Sequence, residues 1–553
     1  MIRDAIISRL TSQRYLTLWA WASWLGLAFI LLWASGLRMQ DPAYPLVDSD
    51  SWGWLVPALR WVGGLGFHEH YEREWLYGAF LASCLKLGGS FAAIATTQKI
   101  LGLLSGLFIF GTWRTWASLF PQSLLWQVPA TVLGLVVTAA QLGEGHYRVL
   151  EVWIRPEAIM GFVGFAQLFC ISLFCKATWF ERSTIKAFIF GALACPLAWA
   201  MFILKPNWAL AVPATLLPLA VALLWSPLSF VTRLATPAIG CLLIAVCLIL
   251  PEKIFFIHSP QVRTVLPLTL LTIHADVIRE SFAQRITDPT DPDRELLKQF
   301  LPELDREMIE ARKITRFYGR LGFDPDYLMY RSTLPPILMN TYGMDRKDLS
   351  AFCVKSYVQA WRTHPGLMLR KIWLQTTYFL QPDPLTFTKK KQAMDRYTGD
   401  ASSLISESLG MTFSPPVEAM YQDWRSHIQT LAENKVPDIR PLKWIFELRE
   451  LFAPASPWIT GAFAVAFISC LIWPPLFCLR VAALLTLTFW GASAGNAVTV
   501  AIVHALDNSR YRFSYGSLYF FALSAMAIFS VFVAAWSLWH LAKPRLSTVS
   551  ARN

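Results

Sequence analysis

The sequence contains few charged residues for its length. Of 553 residues, 16% are Asp, Glu, Lys or Arg, whereas soluble globular domains carry roughly 25%. Hydrophobic residues make up 55% of the chain, and the mean hydropathy is +0.42. This deficit of charge argues against a soluble enzyme and predicts an integral membrane protein, whose apolar segments face lipid.

The chain also lacks the patterns of two other protein classes. Its nine cysteines include no CxxC pair and no Cys/His spacing typical of metal sites, and most lie in apolar segments, so we predict no disulfide framework. The net charge of +12 is not concentrated in a basic run with interleaved aromatic residues, and we expect no nucleic-acid partner. Basic cytoplasmic loops of a membrane protein account for the same excess.

Several apolar stretches are long enough to cross a bilayer, which takes about 20 helical residues. An apolar piece at 75–87 is too short and is interrupted by Lys86, so we expect an interfacial or re-entrant helix there. The basic residues Arg114, Arg182, Arg233 and Arg480 then fall on the same side as the N-terminus, which the positive-inside rule makes cytoplasmic. The ten predicted spans are 16–37, 91–112, 124–140, 156–175, 187–204, 207–225, 234–252, 457–478, 481–503 and 513–540.

Composition divides the chain into three parts. Residues 1–252 form an N-terminal transmembrane module with its first outer loop at 38–90, and residues 451–553 form the C-terminal transmembrane helices and a cytoplasmic tail. Between them, residues 253–450 are rich in charges and turn formers and form a mainly helical, water-facing domain on the outer side. The predicted fold class is therefore mainly α: a polytopic transmembrane helical bundle with a helical outer-face domain inserted before the last spans.

Acidic groups near the membrane are costly and are therefore functional candidates. Asp48 and Asp50 lie in the first outer loop beside tryptophans, where a carboxylate can act as a general base or hold a metal. The structural alternative is that an Asp or Ser caps the short helix that follows. Glu157 lies in the first turn of a predicted span, where the helix dipole alone favours a carboxylate, or it is a second acid facing the same cavity as Asp50.

Two cationic positions lie at the outer ends of predicted spans. Lys205 stands between two spans, and Arg510 and Arg512 precede the last one. Snorkelling explains such cations, but the positive-inside rule disfavours them on the outer side, so they indicate an anionic ligand such as a lipid phosphate. A metal site formed by His68, Glu69, His70 and Glu72 is an alternative reading of the first loop, although this spacing matches no metal motif.

The order of these pieces resembles the GT-C glycosyltransferases, membrane enzymes that take sugars from polyprenyl-phosphate donors and include protein mannosyltransferases and lipid A aminoarabinose transferases. Many bacterial members carry Asp-Ser-x-Gly-Tyr-Leu-x-Pro-Ala in the first loop, and residues 50–58 read DSWGWLVPA. Residues 73–81, REWLYGAFL, keep the Arg, Tyr and Leu of the family's Arg-x-Pro-x-Tyr-Pro-x-x-Leu but lack both prolines. Pro156-Glu157 stands where Ser-Glu is common, and residues 364–371 and 510–513, HPGLMLRK and RYRF, resemble the family's juxtamembrane and Arg-Tyr-Arg stretches.

The resemblance implies transfer of a sugar from a polyprenyl-phosphate donor to an acceptor hydroxyl of a glycan, lipid or protein at the outer membrane face, with inversion at the anomeric carbon. Asp50 is then the base, with Asp48 as its rival, and Glu157 orients the acceptor or shares a divalent metal, if one takes part. Donor-phosphate contacts are expected from Lys205, Arg510, Arg512 and Arg73. The short cytoplasmic loops and basic tail fit a bacterial inner membrane with the large domain in the periplasm.

Two other functions compete with this interpretation. A transporter or flippase for lipid-linked sugars also needs outer cations and a membrane cavity, but it normally has internal repeats with interrupted helices in matching positions, and no such pairing is visible. A non-catalytic protein of envelope polysaccharide assembly would not need acids and cations at the positions that the resemblance assigns.

Overall fold

The computed structural model describes residues 13–67, 73–121, 123–255, 265–315, 318–380, 398–399, 401–402, 413–434, 442–507 and 509–550. It is 83% helical, and no strand occurs within these ranges. One isolated parallel bridge joins Leu46 and Trp153. The mainly α class is therefore confirmed.

The helices are numbered along the chain. Up to residue 255 they are α1 (Gln13–Arg38), α2 (Trp52–Val62), α3 (Trp75–Gly88), α4 (Ala92–Ala117), α5 (Leu124–Leu142), α6 (Gly145–Val152), α7 (Glu157–Glu181), α8 (Thr184–Leu204), α9 (Ala211–Thr215), α10 (Leu217–Leu224) and α11 (Phe230–Phe255). The polar segment contains α12 (Leu266–Ile273), α13 (Ala275–Thr287), α14 (Arg294–Lys313), α15 (Pro325–Tyr330), α16 (Arg346–Thr363), α17 (Pro365–Leu380) and α18 (Pro415–Glu433). The chain ends with α19 (Lys443–Ile472), α20 (Arg480–Val503) and α21 (Ser509–Ser550).

Nine helices of the described chain are long and apolar enough to cross a membrane: α1, α4, α5, α7, α8, α11, α19, α20 and α21. This number fits a multi-pass membrane protein. Small residues let several of these helices approach closely, as is usual in membranes. A Cβ atom on Gly240 of α11, for example, would lie 2.5 Å from Sγ of Cys195 on α8.

The predicted span at 207–225 is not a continuous helix. A 3₁₀ turn, Pro206–Trp208, is followed by the short helices α9 and α10. Prolines at 206, 213 and 218 explain this, because each lacks the N–H that a continuous helix requires. The segment still connects opposite ends of α7, since Lys205 pairs with Glu157 at its start and the Trp179 indole N–H donates to the Trp225 carbonyl, 3.2 Å away, near its finish.

The segment between α1 and α4 begins and finishes at the same end of the helix bundle. Lys99, near the start of α4, donates to the carbonyls of Asp41 and Pro42, at 3.1 and 2.9 Å, just beyond the end of α1. Between them, α2 and α3 pack against each other, and α3 has 14 residues. At 1.5 Å per residue this is about 21 Å, less than the roughly 30 Å of hydrocarbon core. We call this end of the bundle, where α1 finishes and α7 begins, the site end.

The polar segment predicted as one domain at 253–450 has two described parts that pack differently. Residues from α12 to α17 share a core around Phe282, Phe300 and Phe352. In contrast, α18 packs against the first outer loop and the start of α4 through Trp424, whose ring stacks on Phe91 at 4.2 Å and lies edge-on to Trp52 at 6.2 Å. The predicted boundaries at 252/253 and 450/451 fall inside α11 and α19.

Helix α16 ends at Thr363, and the chain leaves it at His364. A new helix, α17, begins at once with Pro365 at its first position, where the missing N–H costs nothing. The C-terminal part of α17 packs against α20, with Phe379 beside Ala497 and Val500. The polar segment therefore reaches the site end through α17.

Candidate functional site

Backbone hydrogen bonds hold the first loop against the segment that precedes α7. The Leu46 N–H donates to the Val152 carbonyl at 2.7 Å, and the Ile154 N–H donates to the Leu46 carbonyl at 3.0 Å. These bonds fix the register between two segments that lie more than a hundred residues apart in sequence. As a result, Asp48 and Asp50, which follow Leu46, lie opposite Arg155.

Arg155 is the central cation of the site. Its Nε atom lies 2.5 Å from Oδ2 of Asp48, and its Nη2 atom lies 3.5 Å from Oδ2 of Asp50. Arg73 binds the other oxygen of Asp50, with 2.9 Å between Nη2 and Oδ1. Each guanidinium also lies over an indole, Arg73 at 4.7 Å from the Trp54 ring centroid and Arg155 at 5.3 Å from that of Trp153, which adds cation–π attraction.

The two aspartates of the first loop have different surroundings. Oδ1 of Asp48 accepts from the backbone N–H groups of Asp50 and Ser51, at 3.0 and 3.2 Å, and from the Ser51 hydroxyl at 3.1 Å. Asp48 thus holds the turn that precedes α2 through its side chain, whereas the predicted N-terminal cap is not formed by Ser51, whose side chain makes no cap hydrogen bond. The Asp50 carboxylate, in contrast, is held by the opposite charges of the Arg73 and Arg155 guanidinium groups.

A glycine of the first loop makes room for this arrangement. Gly53 follows the aspartates as the second residue of α2. A Cβ atom at this position would lie 2.6 Å from Cγ of Arg73 and 3.0 Å from its Nε atom. Such separations are far below normal van der Waals distances of about 3.5–4.0 Å. The glycine is therefore required by the path of Arg73 to Asp50.

Glu157 and Lys205 form the second ion pair of the site. Their side chains are in direct contact and mostly buried. Nζ of Lys205 also lies 5.7 Å from the ring centroid of Tyr511, which brings the start of α21 to the same place. The side chains of Arg510 and Arg512 on either side of Tyr511 lie outside the described part of the structure.

Buried polar groups next to the site connect α3 and α4 to the segment that precedes α7. The Tyr77 hydroxyl donates to Oε1 of Gln98 at 2.6 Å, and the Gln98 amide donates to the carbonyls of Glu151 and Trp153 at 2.8 and 3.0 Å. Burial, followed by the nearby charge of Glu157, raises the pKa of Tyr77 well above its usual value, so its hydroxyl stays protonated. Burial, helped by the charge of Arg449, lowers the pKa of His146 to about 4, so this imidazole is neutral at pH 7.

Three buried ion pairs tie α6 and its flanking residues to other helices. Arg38 at the end of α1 binds Glu151 through two nitrogen–oxygen contacts of 2.6 Å. Arg148 binds Asp41 at 2.5 and 3.0 Å. The third pair joins Arg449 of α19 to Glu144. Removing one partner from such a pair leaves a buried charge without its counter-charge, which is strongly destabilising.

These pairs hold the segment that carries Arg155 and Glu157 rigidly at the site end. Their own residues were not predicted as functional. Gly102 on α4 also contributes, because a Cβ atom there would collide with the Glu151 carboxylate. The arrangement therefore resembles a supporting layer under a site, in which the charges of Arg38, Arg148 and Arg449 are paired with carboxylates.

The structure thus brings together five of the seven predicted site residues: Asp48, Asp50, Glu157, Arg73 and Lys205. Arg73 and Lys205 are paired with carboxylates here, although the resemblance assigns them to a phosphate. Arg155 was missed. The sequence could have indicated Arg155, because it is a cation at the outer end of a predicted span, and Lys205 was selected by the same criterion.

One cavity next to the site, of about 40 Å³, borders Glu157, Glu151 and Arg38. Within the described ranges, no three His, Cys, Asp or Glu side chains group as metal ligands. The predicted alternative at His68, Glu69, His70 and Glu72 lies outside those ranges.

Comparisons with protein-family models, with curated proteins and with solved structures find no match to this chain.

Proposed function

We propose that the protein is a GT-C-like membrane glycosyltransferase that moves a sugar from a polyprenyl-phosphate donor to an acceptor hydroxyl. The observation that carries the proposal is the convergence of Asp50, Arg73, Arg155, Glu157 and Lys205 at one end of the helix bundle. They come from four separate segments, and Tyr511 adds a fifth. Four of these five residues, all except Arg155, were predicted from the sequence, and they lie together in the fold.

The charges of the site suit a phosphate that arrives and departs. Three carboxylates, of Asp48, Asp50 and Glu157, face three cations, Arg73, Arg155 and Lys205. A donor phosphate would compete with the carboxylates for these cations, since guanidinium binds both through two parallel hydrogen bonds. Withdrawal of Arg73 from Asp50 would leave this carboxylate ready to accept a proton.

In the proposed reaction, the acceptor oxygen attacks the anomeric carbon while the bond from that carbon to the phosphate oxygen breaks. Asp50 takes the proton of the attacking hydroxyl. The lipid phosphate leaves with its additional negative charge, which Lys205, Arg510 and Arg512 stabilise where it develops. Asp48 keeps the turn and holds Arg155 in place, so we assign the base role to Asp50 rather than to Asp48.

We place the site end at the outer face of a bacterial inner membrane, with the polar segment in the periplasm. The basic residues Arg114, Arg182, Arg233 and Arg480 adjoin the opposite ends of α4, α7, α11 and α20. The positive-inside rule assigns such an end to the cytoplasm. A lipid-linked sugar would then meet its acceptor outside.

One feature favours a second function, transport of a lipid-linked sugar. The interrupted crossing at 206–224 directly follows Lys205, and interrupted helices often line transport sites. The two functions differ in what happens to the sugar. A transferase breaks the bond between sugar and phosphate, whereas a transporter moves the intact molecule across the bilayer.

The test uses the purified protein in vesicles that contain radiolabelled polyprenyl-phosphate sugars, with a crude envelope fraction as acceptor. Asp50→Asn serves as the inactive variant, and Asp288→Asn, at an exposed turn of the polar segment, is the matched control. Label that moves to a product with wild type and Asp288→Asn, but not with Asp50→Asn, supports transfer. Label that crosses the membrane unchanged with all three proteins would replace the proposal with transport.

A further inference from the structure

A second concave site lies apart from the acid and arginine cluster described above. Its volume is about 760 Å³, well within the range of small-molecule sites. The walls are formed by α13 and α14 of the polar segment on one side and by α17 on the other. We call this space, lined on α17 by Leu367, Arg370, Lys371 and Leu374, the α17 cleft.

The α17 cleft lies at the level where the polar segment meets the membrane helices. Asp507, between α20 and α21, accepts from the backbone N–H groups of Arg320 and Leu321, at 3.2 and 3.0 Å, and from the Gln375 amide at 2.9 Å. Three lining residues of the cleft are thereby attached to the site end of two span-length helices. Further along α17, Phe379 packs against α20, so this helix runs from the polar segment towards membrane depth.

The lining of the α17 cleft is positively charged. Five cationic and three acidic side chains line it, an excess of two positive charges. The acids are engaged by two of the cations: Arg279 binds Asp305 and Glu280, with shortest distances of 2.8 and 2.9 Å, and Lys371 binds Asp276 at 2.5 Å. The excess therefore resides on the other three cations, namely Arg312, Arg320 and Arg370.

Two of these three arginines are available to a ligand. The third, Arg320, already donates to the Thr377 hydroxyl at 2.7 Å and lies over the Tyr378 ring. Arg312 at the end of α14 and Arg370 on α17 are exposed and make no ion pair or side-chain hydrogen bond with any residue that the structure describes. Two exposed guanidinium groups that line the same cleft are suited to a phosphate, to which each can present a fork of N–H donors.

The outer side of α17 carries apolar residues that point to a lipid. Leu369 and Trp373 are 58% and 61% exposed, and successive helical residues are turned by about 100°. This spacing places them on a face next to Arg370 and away from the residues that pack on α20. Trp side chains favour the boundary between hydrocarbon and water. An amphiphile whose headgroup enters the α17 cleft would thus have an apolar surface beside it.

We infer that the α17 cleft binds the phosphate of an anionic lipid headgroup, with Arg312 and Arg370 as its principal contacts. The shared chemistry is a phosphate flanked by two guanidinium groups, and the exposed apolar face of α17 assigns it to a lipid rather than to a soluble phosphate. This inference does not depend on the proposed sugar transfer, because none of the residues of the acid and arginine cluster lines the α17 cleft.

The experiment measures binding of fluorescent phosphatidylglycerol to the purified full-length protein in neutral detergent. The test variant is Arg312→Gln with Arg370→Gln. The control variant, Arg331→Gln with Arg362→Gln, removes the same charge from exposed positions outside the α17 cleft. We expect the half-saturating lipid concentration to rise about tenfold in the test variant, as for the loss of charged hydrogen bonds, and to stay at the wild-type value in the control.

Thermal unfolding of each variant shows that the comparison concerns folded protein, since both changes are on the surface. Competition with glycerol phosphate identifies the source of the phosphate. A lipid that competes far better than glycerol phosphate supports the inference. Equal loss of binding in test and control variants, unchanged binding in the test variant, or equally effective competition by glycerol phosphate would each overturn it.

Discussion

Replacement of Gly53 by alanine is expected to separate Arg73 from Asp50. The new Cβ atom would lie 2.6 Å from Cγ of Arg73, and neither the α2 backbone nor Asp50 can retreat without breaking the turn that Asp48 holds. Arg73 would therefore leave its place. It would lose an ion pair of 2.9 Å between groups that are 21% and 26% exposed, and its contact with Trp54.

The expected loss of folding stability follows from these two contacts. A partly exposed ion pair contributes about 1 kcal/mol or less, and an exposed cation–π contact about 0.5–1 kcal/mol. Alanine itself favours a helix over glycine by about 1 kcal/mol, which hides part of the loss. Gly36→Ala in α1 is the matched control, because a Cβ atom there meets nothing within 4 Å. We expect Gly53→Ala to be about 1–2 kcal/mol less stable than Gly36→Ala.

The assay combines thermal unfolding in detergent with sugar transfer, in wild-type protein and in an Arg73→Ala background. If Arg73 is the group displaced, Gly53→Ala has little further effect once that side chain is gone, since contacting residues are not additive. We also expect about a tenfold loss of transfer by Gly53→Ala alone, because the displaced Arg73 is no longer positioned to bind the donor phosphate. A loss of equal size in both backgrounds would refute the reasoning.

Two further predictions concern Arg155 and His146. Arg155→Gln removes the mostly buried cation shared by Asp48 and Asp50. We expect this variant to be about 2 kcal/mol less stable than wild type and to transfer sugar about a hundredfold more slowly. The exposed-site variant Arg362→Gln is the control for both measurements. For His146, burial and the charge of Arg449 lower the pKa to about 4, below the roughly 6.5 of an unfolded chain. The unfolded state then binds more protons between these values, so this contribution is complete above pH 6.5 and is lost as the pH falls towards 4. We expect wild type to lose more thermal stability than His146→Gln between pH 7 and 4.5, and parallel losses would contradict the assignment.

The helical membrane class could be predicted because hydropathy directly reports apolar length. Segments such as α7 and α8 stand out as continuous apolar runs. The interruption at 206–224 was missed because hydropathy does not register backbone donors, and Pro213 and Pro218 are tolerated by an apolar average. A count of prolines within each predicted span would have exposed it.

The site could be predicted in part because charge near a membrane is rare. This criterion found Asp48, Asp50 and Glu157 directly. It did not identify Arg155 as their common partner, because the pairing joins residues 107 positions apart. Such a pairing depends on the backbone bonds of Leu46 with the segment before α7, and a single sequence carries no record of those bonds.

The polar segment shows that amino-acid composition does not predict which surfaces of the chain pack together. Its charge content predicted one water-facing domain, and within it Trp424 of α18 is fully buried against the first outer loop, where its indole N–H donates to the Pro45 carbonyl at 2.8 Å. An amphipathic helix shows which face is apolar but not which surface covers it. The packing of α18 on the first outer loop therefore required the structure.

The most direct test of the account compares Asp50→Asn with Asp48→Asn in transfer from a radiolabelled polyprenyl-phosphate sugar. Both variants keep the size of the side chain and remove one charge from the same loop. We expect Asp50→Asn to fold but to lose about a hundredfold or more of the transfer rate, while Asp48→Asn keeps substantial activity. Transfer by Asp50→Asn at the wild-type rate would contradict the claim that this carboxylate is the base.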